Sequence, residues 1–248
     1  MSRWKAAGIH FAISFLVIAA VGSVLVAAWY PPRFIRAVGG LGLIAILAGV
    51  QITLGPLLTL LVFKSGKRGL KFDLAAITLL QVLALAYGIH VIALARPVYV
   101  VFVKDRFEVL TAAEIPPENL DKAQREEYRS LPLGGPKIVA ARKPEDTQES
   151  QKILFSAAFG GPDLSAFPQY YEPYSEQAPI AAQKSQSLEA LLVRNETNRK
   201  VLEAYLRDHD LKLSEVKFLP LQAKQRDQTA LVDATSGALL GIIDLDPW

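Results

Sequence analysis

The chain has no cysteine, and only one methionine and three histidines among its 248 residues. The lack of cysteine excludes disulfides, thiolate metal sites and a cysteine nucleophile, and it is compatible with either side of a membrane. Residues 1–96 are also nearly free of acidic side chains, with Asp73 standing against nine Lys and Arg. The rest of the chain carries 18 basic and 23 acidic side chains, so the net charge of +3 and the pI of 9.0 hide a basic amino-terminal part and a mildly acidic remainder. A nucleic-acid binder would gather its basic residues on one exposed domain face. Here they lie in short loops and ends between apolar runs, and nucleic acid is not expected as a partner.

What fills the amino-terminal part is hydrophobic sequence. Val38 to Phe63 is 26 residues without a charge, longer than the roughly 20 residues that cross a bilayer's hydrocarbon core. It breaks into Lys64-Ser-Gly-Lys-Arg-Gly-Leu-Lys71, a basic cluster of the kind held on the cytoplasmic side of a membrane. Before it, Gly8 to Trp29 is apolar apart from His10, and after it Leu74 to Ala95 gives a third run bounded by Asp73 and Arg96. A cleaved signal peptide would have a shorter apolar region and a small-residue cleavage site, whereas the first run is 22 residues long and ends in Trp29-Tyr30-Pro31-Pro32. A prepilin-like leader is disfavoured too, because the Glu that stands five residues into a mature pilin is replaced by Ile13. Three transmembrane spans are therefore expected over residues 8–29, 38–63 and 74–95, the first two forming a tight hairpin through Arg33 to Ala37. Arg3, Lys5 and the four basic residues of 64–71 outweigh Arg33, Arg36 and Arg96, which puts the amino terminus inside and the domain after the third span outside.

Ionisable groups within spans often mark ion pathways. The polar side chains here are His10, Gln51, Gln81 and His90, with no carboxylate in the middle of any span and both histidines near span ends. Interhelical hydrogen bonding by the two glutamines is the reading adopted, with Gly39, Gly40, Gly42, Gly49, Gly55 and Gly88 allowing close approach and Gly55-Pro56 kinking the second span.

From residue 97 onward the texture is that of a soluble α+β domain with antiparallel hairpins, long enough to bury its own core. Val98 to Val103 and Phe107 to Leu110 read as one hairpin, and Thr229 to Asp233 with Ala238 to Asp244 as another across Ala234-Thr-Ser-Gly237. Short strands are expected at Lys137–Ala141 and Val216–Leu219. Helices are expected at Asn119–Ser130, Glu145–Ala158 and, as the longest, Ser185–His209, whose stripe of Leu188, Leu191, Leu192, Leu202, Tyr205 and Leu206 is interrupted by Asn195 and Arg199. Between them Gly160 to Tyr174 sets Phe167, Tyr170, Tyr171 and Tyr174 among prolines as a stiff irregular loop. Two uses fit such rings: packing on the domain's own core, or binding a partner, for which tyrosine offers large contact area at low entropy cost.

A catalytic constellation is not legible. The domain's one histidine, His209, sits between Asp208 and Asp210, but neighbours on a helix point to different faces. Gly160-Gly-Pro-Asp163 lacks the N–H groups and the Lys-Ser/Thr of a phosphate loop, and no Gly-x-Ser-x-Gly or His/Glu metal pattern occurs. No enzyme activity, cofactor or metal is expected.

Several motifs together resemble the type IV pilin accessory proteins of the TfpX/TfpZ group: Trp4-Lys-Ala-Ala-Gly-Ile-His10, Trp29-Tyr-Pro-Pro32, Gly55-Pro-Leu-Leu-Thr59 before Phe63-Lys64, Gly69-Leu-Lys-Phe-Asp-Leu74, Ala95-Arg-Pro-Val-Tyr99 and Asp105-Arg-Phe-Glu-Val109. The likeness is densest over residues 4–109 and continues more loosely through Gly161-Pro-Asp-Leu164 and the Pro/Tyr loop. It implies a bacterial inner-membrane protein with a periplasmic domain that assists a cognate type IV pilin in assembly, stability or retraction, with the bilayer and other pilus assembly proteins as further partners. A sensor or scaffold of another envelope system is the alternative. An immature pilin is itself one apolar helix beside a periplasmic head, so Gly49 and Gly55 in the spans and Phe167, Tyr170, Tyr171 and Tyr174 outside are the candidate partner-binding residues.

Overall fold

A computed structural model describes residues 1–192 and 196–248, with the side chains of Glu196 and Thr197 left aside. The apolar runs form three helices long and apolar enough to cross a membrane: α1 (Arg3–Trp29), α3 (Gly40–Val62) and α4 (Leu70–Ala95), with a four-residue helix α2 (Phe34–Ala37) in the first connection. Ser2 caps α1, its Oγ accepting from the Lys5 N–H at 3.3 Å, as a small hydroxyl at a helix start should. The helices extend a few residues beyond the hydrophobic runs at their amino-terminal ends, where Arg3, Lys5 and Lys71 carry them into the basic segments.

The chain then enters a curled sheet of eight strands. β1 (Pro97–Val103) and β2 (Arg106–Thr111) form the expected hairpin about Lys104-Asp105. A short helix α5 (Pro117–Leu120), β3 (Lys137–Ala141), helix α6 (Thr147–Ala158), β4 (Tyr171–Pro173) and helix α7 (Tyr174–Lys184) follow. The last third holds β5 (Gln186–Ser187), α8 (Glu189–Leu192), α9 (Glu196–Asp208), β6 (Val216–Gln222), β7 (Gln228–Asp233) and β8 (Leu239–Ile243). The order is β4-β3-β1-β2-β6-β7-β8, with β5 on the first half of β6. β3 runs parallel to β1, β6–β7–β8 is an antiparallel meander containing the second expected hairpin, and the halves meet in a short parallel seam of Phe107 with Leu221 and Glu108 with Gln222.

Alternation along the strands sorts their side chains into separate cores. All seven residues of β1 are buried. Tyr99, Val101 and Val103 face a cluster with Leu110, Tyr128, Ile153 of α6 and Tyr171, while Val100 and Phe102 face the other way. That second face carries Phe107, Leu219, Leu221, Ala230 and Val232, and it is continuous with Tyr30, Phe34, Val38 and Ile92 at the ends of the long helices. A third cluster packs Leu188, Leu191, Leu202 and Leu206 on Phe218 and Leu231. The core of the sheet thus runs directly into the helical bundle across residue 96.

Two sequence expectations are corrected and one unassigned stretch gains an element. Asn119–Ser130 is not a surface helix: α5 stops at Leu120 and only the turn Glu126–Tyr128 follows. Its helical pattern yields to tertiary contacts, with Asn119 buried and donating to the Ala166 carbonyl at 3.1 Å and Ala123 and Tyr128 both buried. Ser185–His209 is not helical from its start, since Gln186 and Ser187 pair with β6; Asn195, expected to interrupt the stripe, lies outside the described residues. The stretch after the tyrosines, given no element from sequence, is helix α7, which carries Pro179 inside it.

Candidate functional site

Within the helical part, α1 and α4 each pack along α3 and scarcely touch one another. Their polar residues are spaced to meet: His10 and Ser14 lie one turn apart on α1, Gln51, Gly55 and Thr59 follow one another turn by turn on α3, and Gln81 projects from α4. The His10 Nδ1 lies 2.6 Å from Thr59 Oγ1 and its Nε2 2.5 Å from Gln81 Oε1. The Gln81 amide donates to Ser14 Oγ at 3.3 Å and to the Gln51 carbonyl at 3.2 Å, and Gln51 returns a bond to the Gln81 carbonyl at 3.1 Å. One polar cluster therefore ties all three helices together. In hydrocarbon such interhelical bonds average about 0.6 kcal/mol each, so the cluster is worth a few kcal/mol at most and serves chiefly to fix register.

Gly55 makes this possible, because a Cβ there would collide with the Gln81 side chain. It is an interior position of the bundle, where it allows the close approach of α3 and α4 expected of the glycines. Gly49 is exposed, and a Cβ there would meet nothing in this chain. The hydrogen bonding expected of Gln51 and Gln81 is present. His10 joins them half-buried, and Ser14 and Thr59 were missed; their one-turn spacing from His10 and Gly55 was the available signal.

Between α1 and α4 runs a groove of about 390 Å³ with this cluster at its base. Its walls are the exposed side chains of Ile9, Ile13, Val17 and Val82. At the opposite end the bundle is locked to the sheet. The Gln228 amide donates to the Arg33 carbonyl at 2.9 Å and the Gln225 N–H to the Ala37 carbonyl at 2.9 Å, while within the bundle the Tyr30 hydroxyl ties α1 to α4 by donating to the Ile92 carbonyl at 2.9 Å. Arg96 lies 5.5 Å from the Trp29 ring centre and donates to the Ala93 carbonyl at 2.6 Å.

The four aromatic residues singled out beyond the helices are core-forming. Tyr170 and Tyr171 are buried, and Phe167 is half-buried against the same cluster. The Tyr171 hydroxyl donates to the Ser165 carbonyl, and its ring meets Tyr99 and Tyr128 edge-on at 5.1 and 5.7 Å. Tyr174, half-buried, packs on Phe102 and Phe107 and donates to the Gly237 carbonyl at 2.5 Å. Gly237 needs its left-handed φ of 72° and its bare Cα, since a Cβ would strike the Ala178 carbonyl of α7. Burial raises the phenols of Tyr171 and Tyr174 above their usual range and pushes Tyr99 up to about 12. Of the two uses open from sequence, core packing is the one these rings take, the Pro-stiffened segment completing the core of the strand-rich part. Among the apolar side chains left outside are Leu133, the α6 residues Leu154 and Phe155, and the following Phe159, 86%, 60%, 62% and 87% exposed.

Comparison with known proteins gives three relatives, all from Dichelobacter nodosus. The fimbrial assembly protein of serogroup I is 32% identical over 221 residues, covering 88% of this chain and 85% of the relative. That of serogroup E1 is 30% identical over the same length and coverage. The fimbrial assembly protein of serogroups C1 and C2 is 35% identical over 122 residues, 48% of this chain and 92% of the relative. No family model matches the chain, and no solved structure matches it.

Proposed function

Because the chain belongs to the fimbrial assembly protein family, we propose that it is an inner-membrane accessory of the TfpX/TfpZ kind that acts on a cognate type IV pilin during pilus assembly, stabilisation or retraction. In this reading α1, α3 and α4 cross the inner membrane with the amino terminus and the Lys64–Lys71 loop in the cytoplasm, and residues 97–248 form a periplasmic domain. The protein works by contact and not by catalysis.

The observation that carries the reading is the unbroken core between apolar helices and sheet, through Tyr30, Phe34, Val38 and Ile92. A protein built this way presents a membrane surface and a periplasmic surface at a fixed spacing, matching a partner that has one apolar helix and one periplasmic head. The test is crosslinking in living cells from photoreactive residues placed on both parts of the full chain, with the captured protein identified. Capture of the pilin is expected. Capture of other envelope proteins and never of pilin would favour the sensor or scaffold reading and overturn this one.

A further inference from the structure

A second cavity lies where the bundle meets the sheet, at the end of the helices that carries Trp29. It has a volume of about 380 Å³, and its apolar walls are Val26 in the last turn of α1, Ile35 of α2 and Leu41 in the first turn of α3. Its polar lining is of two kinds. Arg33 and Arg36 are cations, both exposed and with no ion pair or side-chain hydrogen bond among the described residues. Gln228 of β7 and Asp244 are acceptors, the aspartate paired with Arg226 at 3.1 Å. Gln228 is only 2% exposed, and its amide nitrogen is committed to the Arg33 carbonyl at 2.9 Å, which fixes the orientation of the amide and leaves Oε1 buried with no partner. Buried acceptors are seldom left unmatched in folded proteins. A cavity that keeps one beside two unpaired cations calls for a ligand with both an anion and an N–H or O–H donor.

We propose that this cavity binds the headgroup of a phospholipid that carries a primary amine, with the phosphate against Arg33 and Arg36, the amine donating to Gln228 Oε1 and Asp244, and an acyl chain running along Val26 and Leu41. The assignment rests on the membrane placement of the three helices proposed above. Position agrees with it, because on that reading Trp29, Arg33 and Arg36 lie at headgroup depth, where aromatic and basic side chains anchor a span. A guanidinium matches a phosphate with paired N–H donors, and a protonated amine brings three donors to the two acceptors. Other occupants answer only part of the lining. A choline headgroup has no N–H for Gln228, and a glycerol headgroup brings the phosphate charge to the carboxylate of Asp244 with no cation to offset it. A free phosphate would suit the arginines and leave the apolar walls bare.

The experiment uses the full chain in nanodiscs of equal parts phosphatidylethanolamine, phosphatidylglycerol and phosphatidylcholine, and native mass spectrometry to identify the lipid that stays bound on release. Preferential retention of phosphatidylethanolamine is expected. Arg33→Gln combined with Arg36→Gln should lower that retention about tenfold, the size of one charge-assisted hydrogen bond. Asp244→Asn, at an exposed position, should keep a lipid bound but reduce the preference for ethanolamine over glycerol about fivefold. Arg68→Gln, in the basic loop at the opposite end of the helices, should change neither. Equal retention of the three lipids, a preference unaltered by Asp244→Asn, or the same loss from Arg68→Gln would overturn the assignment, and the comparison of lipids stays decisive if the double arginine variant fails to accumulate. Displacement of the bound lipid by excess inorganic phosphate would assign the cavity to a soluble anion and overturn the lipid. Lipid held without headgroup preference removes the site and leaves the membrane placement standing. A chain that stays in solution without detergent or bilayer removes both.

Discussion

Tyr171→Ala separates a core role from a surface role most sharply. Tyr171 is 4% exposed, pairs edge-on with Tyr99 and Tyr128, and donates to the Ser165 carbonyl. Truncating a buried aromatic costs about 3–5 kcal/mol, of which each ring-edge pair accounts for about 0.5–1.5 kcal/mol. Tyr171→Phe keeps the rings and strands one carbonyl, costing about 1–3 kcal/mol. For a protein of this size 1 kcal/mol moves the thermal midpoint by about 2–4 °C, so the alanine variant should melt at least about 6 °C lower and the phenylalanine variant less so. The assay is near-UV circular dichroism of the full chain in mild detergent, with hydrogen exchange of β1 and β3 reporting where protection is lost. An unchanged midpoint and unchanged protection in Tyr171→Ala, combined with loss of fimbriae, would refute the reasoning and return the ring to a binding surface.

The polar and glycine positions give further tests. Glu108 is held above the usual carboxylate range by burial and by Asp163, against the opposing effects of Ser165, Arg106 and Lys104. Its contribution to stability is therefore complete below the ordinary glutamate range and lost as pH rises through the raised value, and Glu108→Gln should flatten this decline in unfolding measured across the weakly acidic range. Gly55→Leu should cost about 1–3 kcal/mol or more by overpacking against Gln81 and reduce the amount of folded protein, while Gly49→Leu should leave the amount unchanged; equal accumulation of both would refute the interior placement of Gly55. Protease added to spheroplasts should remove residues 97–248 and spare the Lys64–Lys71 loop, and cytoplasmic reporter signals from both Arg68 and the carboxyl terminus would refute the three-span orientation.

The helical part was almost wholly legible because length and hydrophobicity decide it: three charge-poor runs became α1, α3 and α4 within a few residues. The β1–β2 and β7–β8 hairpins were legible for a similar reason, each being two β-rich runs around a short polar turn. What failed depended on contacts remote in sequence. Residues 186–187 read as helix from their neighbours, but they pair with Phe218 and Lys217 thirty residues on. The tyrosines left core packing and partner binding both open because the surfaces that cover them, from β1 and the Tyr128 turn, are remote in sequence. Of the five side chains of the polar cluster, Gln51 and Gln81 were read as hydrogen-bonding and His10 was noted as a polar residue near a span end. Serine and threonine attract no notice inside an apolar helix, so Ser14 and Thr59 became informative only once the helices were placed beside one another.

The junction at residue 96 explains why modest local contacts suffice for a specific partner. Flexible tethers spread the second of two binding events over many positions, whereas a fixed spacing gives it an effective concentration set by geometry. Here the spacing is fixed where the Arg33 and Ala37 carbonyls, just before and within α2, accept from Gln228 of β7 and from Gln225 before it. Those bonds lie beside the apolar cluster that joins Val38 and Ile92 to Val100 and Leu219, so sliding the helices against the sheet would break polar bonds and open packing together. On the proposed pilin-directed function, a partner contacting both the helices and the sheet part would gain at each contact from its placement at the other.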